Sequence, residues 1–162
     1  MKVRILVTGG TFDKEYDELH GQLFFKTTHV PEMLRLGRCM VEVEVVPVML
    51  MDSLSMTDAH REIILAECRR SDTDRIVITH GTDTMTVTAG LLAKKLRKKT
   101  VVLTGAIRPY TFGSSDGLFN LGSAIAFAQV LPPGVYVAMN GRCFDHDKVR
   151  KNMATGVFED VG

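Results

Sequence analysis

With 162 residues, 45% of them hydrophobic and 24% charged, and a net charge of +1, the chain has the profile of one ordinary globular domain, residues 1–162. That balance argues against a nucleic-acid or membrane partner, and the longest apolar run, Val45 to Met51, is too short to cross a bilayer. Three cysteines (Cys39, Cys68, Cys143) without a CxxC pair read as reduced structural thiols, so cytoplasmic residence is expected.

Strand-like character begins at once, in Val3–Val7, so no secretory signal is expected ahead of it. A short helix is predicted over Val30–Leu36 and a second strand over Val41–Leu50. The next helix, Thr57–Arg70, has Thr57 or Asp58 as its candidate N-cap. Strand Arg75–Thr79 leads to helix Thr84–Arg97, capped by Thr82 or Asp83, whose basic end Lys94–Lys99 reads as a solvated face. Strand Thr100–Leu103, helix Asp116–Leu131 and strand Val135–Met139 follow. The last helix carries apolar residues most of the way around, which implies burial on more than one side, within the domain or against another subunit. Strands alternating with helices predict a three-layer α/β/α sandwich with a mostly parallel sheet, flavodoxin- or Rossmann-like.

The two ends of that sheet differ. Ordinary turn residues precede the strands. After them come Thr8-Gly9-Gly10-Thr11, Asp52-Ser53-Leu54-Ser55, His80-Gly81-Thr82-Asp83-Thr84 and Gly105-Ala106-Ile107-Arg108-Pro109. Ligands of open α/β sheets bind outside the carboxyl ends of the strands. If the strand order begins 2-1-3, the loops of Ser53, Thr11 and Thr82-Asp83 are neighbours. Hydroxyls, one carboxylate and free backbone amides suit a small zwitterion or an acyl-transfer oxyanion.

Other features read as structural. Gly9-Gly10-Thr11 lacks the GxGxxG pattern and the Walker lysine, so no nucleotide cofactor is expected. His80 has no serine or cysteine nucleophile signature beside it and reads as a hydrogen-bonded structural histidine. Asp145-His146-Asp147 lacks a third partner elsewhere, so no metal is expected. The nine methionines and Phe24-Phe25 are expected in the core. Tyr16, in the polar run after Thr11, is a candidate lid residue.

Taken together, TGGT, DSLSM, HGTDTM, GAIRP and Ser115–Leu121 resemble, in order and over nearly the whole chain, the N-terminal domain of the bacterial-type L-asparaginases. The resemblance implies an amidohydrolase that converts L-asparagine, with L-glutamine as the other candidate substrate, through an acyl-threonine without a cofactor or metal. Thr11 would be the nucleophile, with Thr82, Asp83 and Lys151 as a supporting triad and Tyr16 as a lid. Ser53, Asp83, Thr82, Gly10 and Ala106 would bind the substrate. A threonine hydroxyl attacks only when a neighbour takes its proton, which a lysine amine can relay. Lys151 should then point inward, with Lys148 and Arg150 outward. The family's second domain, which lends an acidic residue across a subunit interface, has no counterpart here, and a homodimer or higher oligomer is expected. The alternatives are a non-catalytic aspartate/asparagine-binding module and an asparaginase-like subunit of an amidotransferase.

Overall fold

The computed structural model describes residues 1–162. Strand β1 (Lys2–Gly9) is followed by a hairpin of β2 (Lys14–Asp17) and β3 (Gln22–Phe25), then α1 (Val30–Leu36) and β4 (Glu42–Met51). Next come α2 (Asp58–Arg70), β5 (Arg75–Thr79), α3 (Met85–Lys95), β6 (Thr100–Thr104), α4 (Gly117–Val130) and β7 (Gly134–Met139). Three short strands complete the chain: β8 (Arg142–Asp145), β9 (Val149–Lys151) and β10 (Phe158–Asp160).

The main sheet runs β4-β1-β5-β6-β7-β8, parallel except for β8, which returns beside β7 as a hairpin. Its first three strands are the second, first and third of the main strands expected from sequence, so the 2-1-3 order holds. β4 lies at the edge, where Pro47 leaves no central ladder bond missing.

Alternation along the strands divides the core. Leu6, Ile76, Ile78, Val101, Leu103 and Val137 point to one face, against Ile64 and Leu65 of α2 and Met85, Ala89 and Leu92 of α3. Ile5, Val7, Val77, Val102 and Ala138 point to the other, against Met33 of α1 and Leu121, Ala124, Ile125 and Ala128 of α4. The result is the expected three-layer sandwich.

Some expectations fail at the level of individual residues. Thr84, not Thr82 or Asp83, stands at the N-cap of α3, because the HGTD segment is a turn that precedes the helix. Phe24 and Phe25 lie in the β2–β3 hairpin, a two-stranded sheet of its own, and Phe24 is exposed. Met1, Met40 and Met153 are likewise exposed, whereas Met33, Met56, Met85 and Met139 are core. Within the single chain helix α4 buries one side, and of the two alternatives the sequence offered only contact with another subunit would cover the other, where Phe119 and Val130 are 63% and 76% exposed.

Loops at the carboxyl edge touch backbone to backbone. Gly10 has φ 73° and ψ −176°, a region essentially closed to other residues, and a Cβ there would lie 2.4 Å from both Cα and N of Gly81. Gly10→Ala should therefore lower stability by at least about 1–3 kcal/mol from backbone strain alone. At Gly90 of α3 a Cβ would enter open space, with nothing within 4 Å, and Gly90→Ala should raise stability by about 0.5–1 kcal/mol. Urea unfolding of the two variants measures both.

Candidate active site

Each loop reaches the carboxyl edge for a local reason. After β1 the chain turns at Gly9 and Gly10, both at positive φ, into a short 3-10 turn that carries Thr11. Thr11 is half-buried, and its hydroxyl has no hydrogen-bond partner in the chain. After β4, Asp52 caps a second 3-10 turn by accepting from the Leu54 N–H at 3.0 Å, which fixes the buried Ser53. Lys14 and Asp52 pair at 2.6 Å and tie the first loop to the second.

The third loop packs into both. A Cβ on Gly81 would lie 2.6 Å from Ser53 Oγ, and one on Gly105 2.4 Å from the His80 carbonyl oxygen. The Thr84 hydroxyl donates to the Ser53 carbonyl oxygen at 2.9 Å, and the Thr84 N–H donates to Ser53 Oγ at 3.3 Å. Thr11, Ser53 and Thr82-Asp83 thus belong to one set of mutually contacting loops.

Lys151 arrives from far along the chain. β9 pairs antiparallel with β10, with Lys151 opposite Phe158 and Arg150 opposite Glu159. Alternation along β9 buries Val149 and turns Lys151 inward, while Arg150 is exposed and pairs with Glu159 at 2.8 Å. Lys148 is exposed as well. The Lys151 Nζ donates to Thr82 Oγ1 at 2.8 Å and to Asp83 Oδ1 at 2.6 Å, with the two side chains only 14% and 29% exposed.

Ala106, in the fourth loop, is buried against the core. That loop is held by Asp116, which accepts from the N–H groups of Ile107 and Arg108 at 3.1 Å, and by Asn120, whose amide donates to the Gly105 carbonyl at 2.8 Å. Tyr16 stands apart. It is exposed on β2, edge-on to Phe112 with ring centroids 6.5 Å apart, and no hydrogen bond links it to the hydroxyl cluster. Thr11, Ser53, Thr82 and Asp83 line none of the concavities; Lys151 borders a shallow groove of about 280 Å³ with Arg150, Asn152, Met153 and Glu159.

Sequence reading missed the supports. Arg61 is buried, and its guanidinium donates to Thr88 Oγ1 and Thr84 Oγ1, each at 3.1 Å, and to the Met56 carbonyl at 3.2 Å. One signal was available: Arg61 shares a helical stripe with the buried Ile64, Leu65 and Cys68, where a cation is out of place unless it has partners. His80 is structural, as expected. Its ring lies between the Gly81 carbonyl, 2.7 Å from Nδ1, and Thr88 Oγ1, 2.8 Å from Nε2. Burial first, and the Arg61 charge in the same sense, bring its pKa down to about 4 against the backbone bond that raises it.

These features define the class: a doubly wound α/β domain whose polar site sits at the carboxyl edge, beside the switch in strand order. The profile of the family described as "Asparaginase, N-terminal" matches residues 2–159. A probable periplasmic L-asparaginase of Haemophilus influenzae is 36% identical over 173 residues, covering 96% of this chain and 47% of its own. A glutaminase-asparaginase of Acinetobacter glutaminasificans is 40% identical over 89 residues, 52% of this chain and 27% of its own. The thermostable L-asparaginase from Thermococcus kodakarensis superposes with a TM-score of 0.88 at 30% identity, over 99% of this chain and 51% of that one. The chain belongs to the asparaginase family and corresponds to its N-terminal domain. It spans about half the length, or less, of these relatives.

Unfolding lets His80 take up a proton that the folded site refuses. Between pH 6.5 and about 4 the unfolded state therefore binds more protons, and stability falls as the pH drops through that window. Asp13, held above the usual carboxylate range by burial, acts in the opposite sense. His80→Gln leaves Asp13 in place and isolates the histidine: from about pH 7 to pH 4 this variant should lose about 2–3 kcal/mol less stability than wild type. Urea titrations at the two pH values provide the comparison.

Proposed function

We propose that this domain hydrolyses the side-chain amide of L-asparagine to give L-aspartate and ammonia. The observation that carries the reading is the Lys151 amine hydrogen-bonded to both Thr82 and Asp83, in loops that contact the loop of an unpartnered Thr11. In this reading Thr11 Oγ attacks the amide carbon. Its proton passes through Thr82 Oγ1 to Lys151 Nζ, which enters the step as a neutral amine with a free lone pair, and Asp83 balances the charge that Nζ then carries. The amide nitrogen takes that proton back from Nζ and leaves as ammonia, and water hydrolyses the resulting ester, restoring Thr11 and releasing L-aspartate. Ser53 and Asp83 hold the α-carboxylate and α-amino groups, with Gly10 and Ala106 close to the amide. Tyr16, on the exposed face of its hairpin, serves as lid only if the hairpin folds over Thr11. L-Glutamine is the second candidate substrate, in keeping with the name of the Acinetobacter relative. Catalysis by these side chains calls for no cofactor.

A second reading, amino-acid binding without turnover, is favoured by one observation: Thr11, Ser53, Thr82 and Asp83 line none of the four pockets of the chain, so no enclosed chamber surrounds the nucleophile. The same domain could serve as the asparaginase-like subunit of an amidotransferase. Ammonia release from asparagine and glutamine, run beside a heat-shift titration with aspartate, separates these readings. For the hydrolase, Thr11→Val should abolish turnover. Lys151→Met should lower kcat by about 10²–10⁴ with aspartate still bound, and Lys148→Met should leave kcat unchanged. Wild-type protein that binds aspartate but releases no ammonia would establish the binding module instead.

A homodimer belongs to the same reading. Exposed Phe119, Gly122, Ala126 and Val130 form a small, apolar stripe along α4, suited to pairing with the same stripe on a second copy. The three free thiols, two of them with pKa values pushed up to about 12 (Cys68) and about 11 (Cys143) by burial, are compatible with a reducing, cytoplasmic setting. No helix is long and apolar enough to cross a membrane. Sedimentation should give at least twice 17.9 kDa for wild type. Ala126→Glu places a charge in the stripe without touching the core and should give the single-chain mass. A wild-type mass of one chain would reject the dimer.

A further inference from the structure

Every charge that borders the groove beside Lys151 is already answered within the chain. Arg150 pairs with Glu159 at 2.8 Å, and the Lys151 Nζ donates to Asp83 Oδ1 at 2.6 Å. Asn152 accepts the Ala154 and Thr155 N–H groups at Oδ1, at 3.0 and 3.3 Å. Those bonds fix its amide orientation, and its Nδ2 donor has no acceptor in the chain. Met153, 71% exposed, forms the remaining wall. A groove of about 280 Å³ with paired charges, one free donor and one apolar wall suits a neutral group better than an ion.

An apolar patch continues from that wall toward the fourth loop. The turn between β9 and β10 is fastened by two backbone bonds, from the Asn152 N–H to the Val157 carbonyl at 2.8 Å and from the Gly156 N–H to the Asn152 carbonyl at 2.7 Å. A Cβ on Gly156 would lie 4.0 Å from Ile107 Cδ1, so Ile107, next to Ala106, reaches this turn. Ile107 and Val157 are 43% and 50% exposed, and with Met153 they join the Lys151 groove to the loop of Ala106. Single exposed apolar residues are ordinary, but three gathered on one turn at the border of a reaction site mark a binding surface.

The carboxylates of the loops are likewise committed. Asp52 holds Lys14, Asp116 accepts from the Ile107 and Arg108 N–H groups and from Asn120, and Asp83 holds Lys151. In the hydrolysis Asp83 balances the proton that Nζ takes up. An α-ammonium on the substrate would bring a second cation to that one carboxylate, and like charges at one site oppose the protonation that the step needs. An acylated α-nitrogen is neutral and keeps one N–H, which Asp83 Oδ2 is free to accept.

We propose that this site takes an N-acylated asparagine, the residue at the carboxyl end of a peptide, in preference to the free amino acid. The asparagine side chain lies at Thr11, the α-nitrogen at Asp83, and the acyl group runs along the Lys151 groove onto Met153, Val157 and Ile107. The inference rests on the amidohydrolase reading, which sets the α-nitrogen beside Asp83, and names the substrate class within it. Bond changes are those of the hydrolysis. Thr11 Oγ bonds to the side-chain carbon, the C–N bond breaks, and the nitrogen leaves as ammonia with the proton held on Nζ. Water then cleaves the ester to give an N-acyl-aspartate. The open site admits the longer substrate, because no chamber encloses the nucleophile.

Ammonia release from L-asparagine, N-acetylasparagine, N-acetyl-leucyl-asparagine and asparaginyl-leucine provides the test. For N-acetyl-leucyl-asparagine kcat/KM should be about 10-fold or more above that for free asparagine, from one half-covered apolar side chain and the loss of the second cation. Asparaginyl-leucine keeps its α-ammonium and should gain nothing over free asparagine. Met153→Ser and Ile107→Ser alter exposed side chains. Each should lower the ratio of kcat/KM for N-acetyl-leucyl-asparagine to that for N-acetylasparagine by about 3-fold to 10-fold. Calorimetry with N-acetyl-leucyl-aspartate and with aspartate reads the same preference in binding. Free asparagine turned over as well as the acylated forms overturns the proposal, and so does an equal gain for asparaginyl-leucine or a ratio that neither substitution changes. A fall in sedimentation mass on Ile107→Ser would show that a second copy covers the patch, and overturns it too. If no substrate releases ammonia, the amidohydrolase reading fails separately and calorimetry still decides. The acyl subsite then stands only if N-acetyl-leucyl-aspartate binds more tightly than aspartate and Met153→Ser removes the difference.

Discussion

Contact between loop backbones is the constraint on which this site depends. Hydroxyls from the loops after β1, β4 and β5 can gather only if the loops approach more closely than any Cβ would allow. Gly10, Gly81 and Gly105 stand at these approaches, where a Cβ would come 2.4–2.6 Å from a neighbouring loop. Strand order makes the approach possible in the first place, because β4, β1 and β5 are adjacent and parallel and all end at the same edge. The Thr8 hydroxyl, donating to the Thr79 carbonyl at 2.7 Å, joins two of those strand ends directly.

A second level of organisation holds the gathered loops in place from below. Arg61 carries a full charge into the interior and meets it with hydroxyl and carbonyl oxygens from three segments, only one partner being a carboxylate. A buried cation tolerated in this way needs each donor satisfied, since an unpaired one would cost more than a neutral packing residue at the same position. The arrangement is therefore rigid. Asn120 does the same for the fourth loop, linking the Gly105 carbonyl to the Asn140 N–H through the two ends of one amide. Rigid supports beneath functional groups are what reaction sites require, because small errors in position are costly there.

The β2–β3 hairpin is organised differently. It forms a sheet of its own, carries the exposed Leu23 and Phe24 as well as Tyr16, and is fastened at its base by Lys14 to Asp52 and by Asp13, which accepts from Thr28 and the His29 N–H. Its tip has few buried contacts, in keeping with a segment able to move relative to the supports beneath Thr11.

The amino-acid sequence by itself determined the order of the main strands and helices, because apolar alternation and helical spacing are local properties. It also determined which loops carry the chemistry, since TGGT, HGTDT and GAIRP stand out against ordinary turns in plain text. Only the tertiary structure decided what lies against what. Lys151 meets Thr82 and Asp83 across 69 and 68 residues, and its inward direction depends on pairing between β9 and β10. The Arg61–Thr88–His80 chain joins α2, α3 and the turn after β5, and no one of those residues is unusual within its own segment apart from a cation on an apolar stripe. The hairpin carrying Phe24 looked like core because hydrophobicity records what a residue prefers, whereas burial depends on whether the sheet has a place for it. Local preferences are written in neighbouring residues; contacts at long separation exist only once the chain has closed on itself.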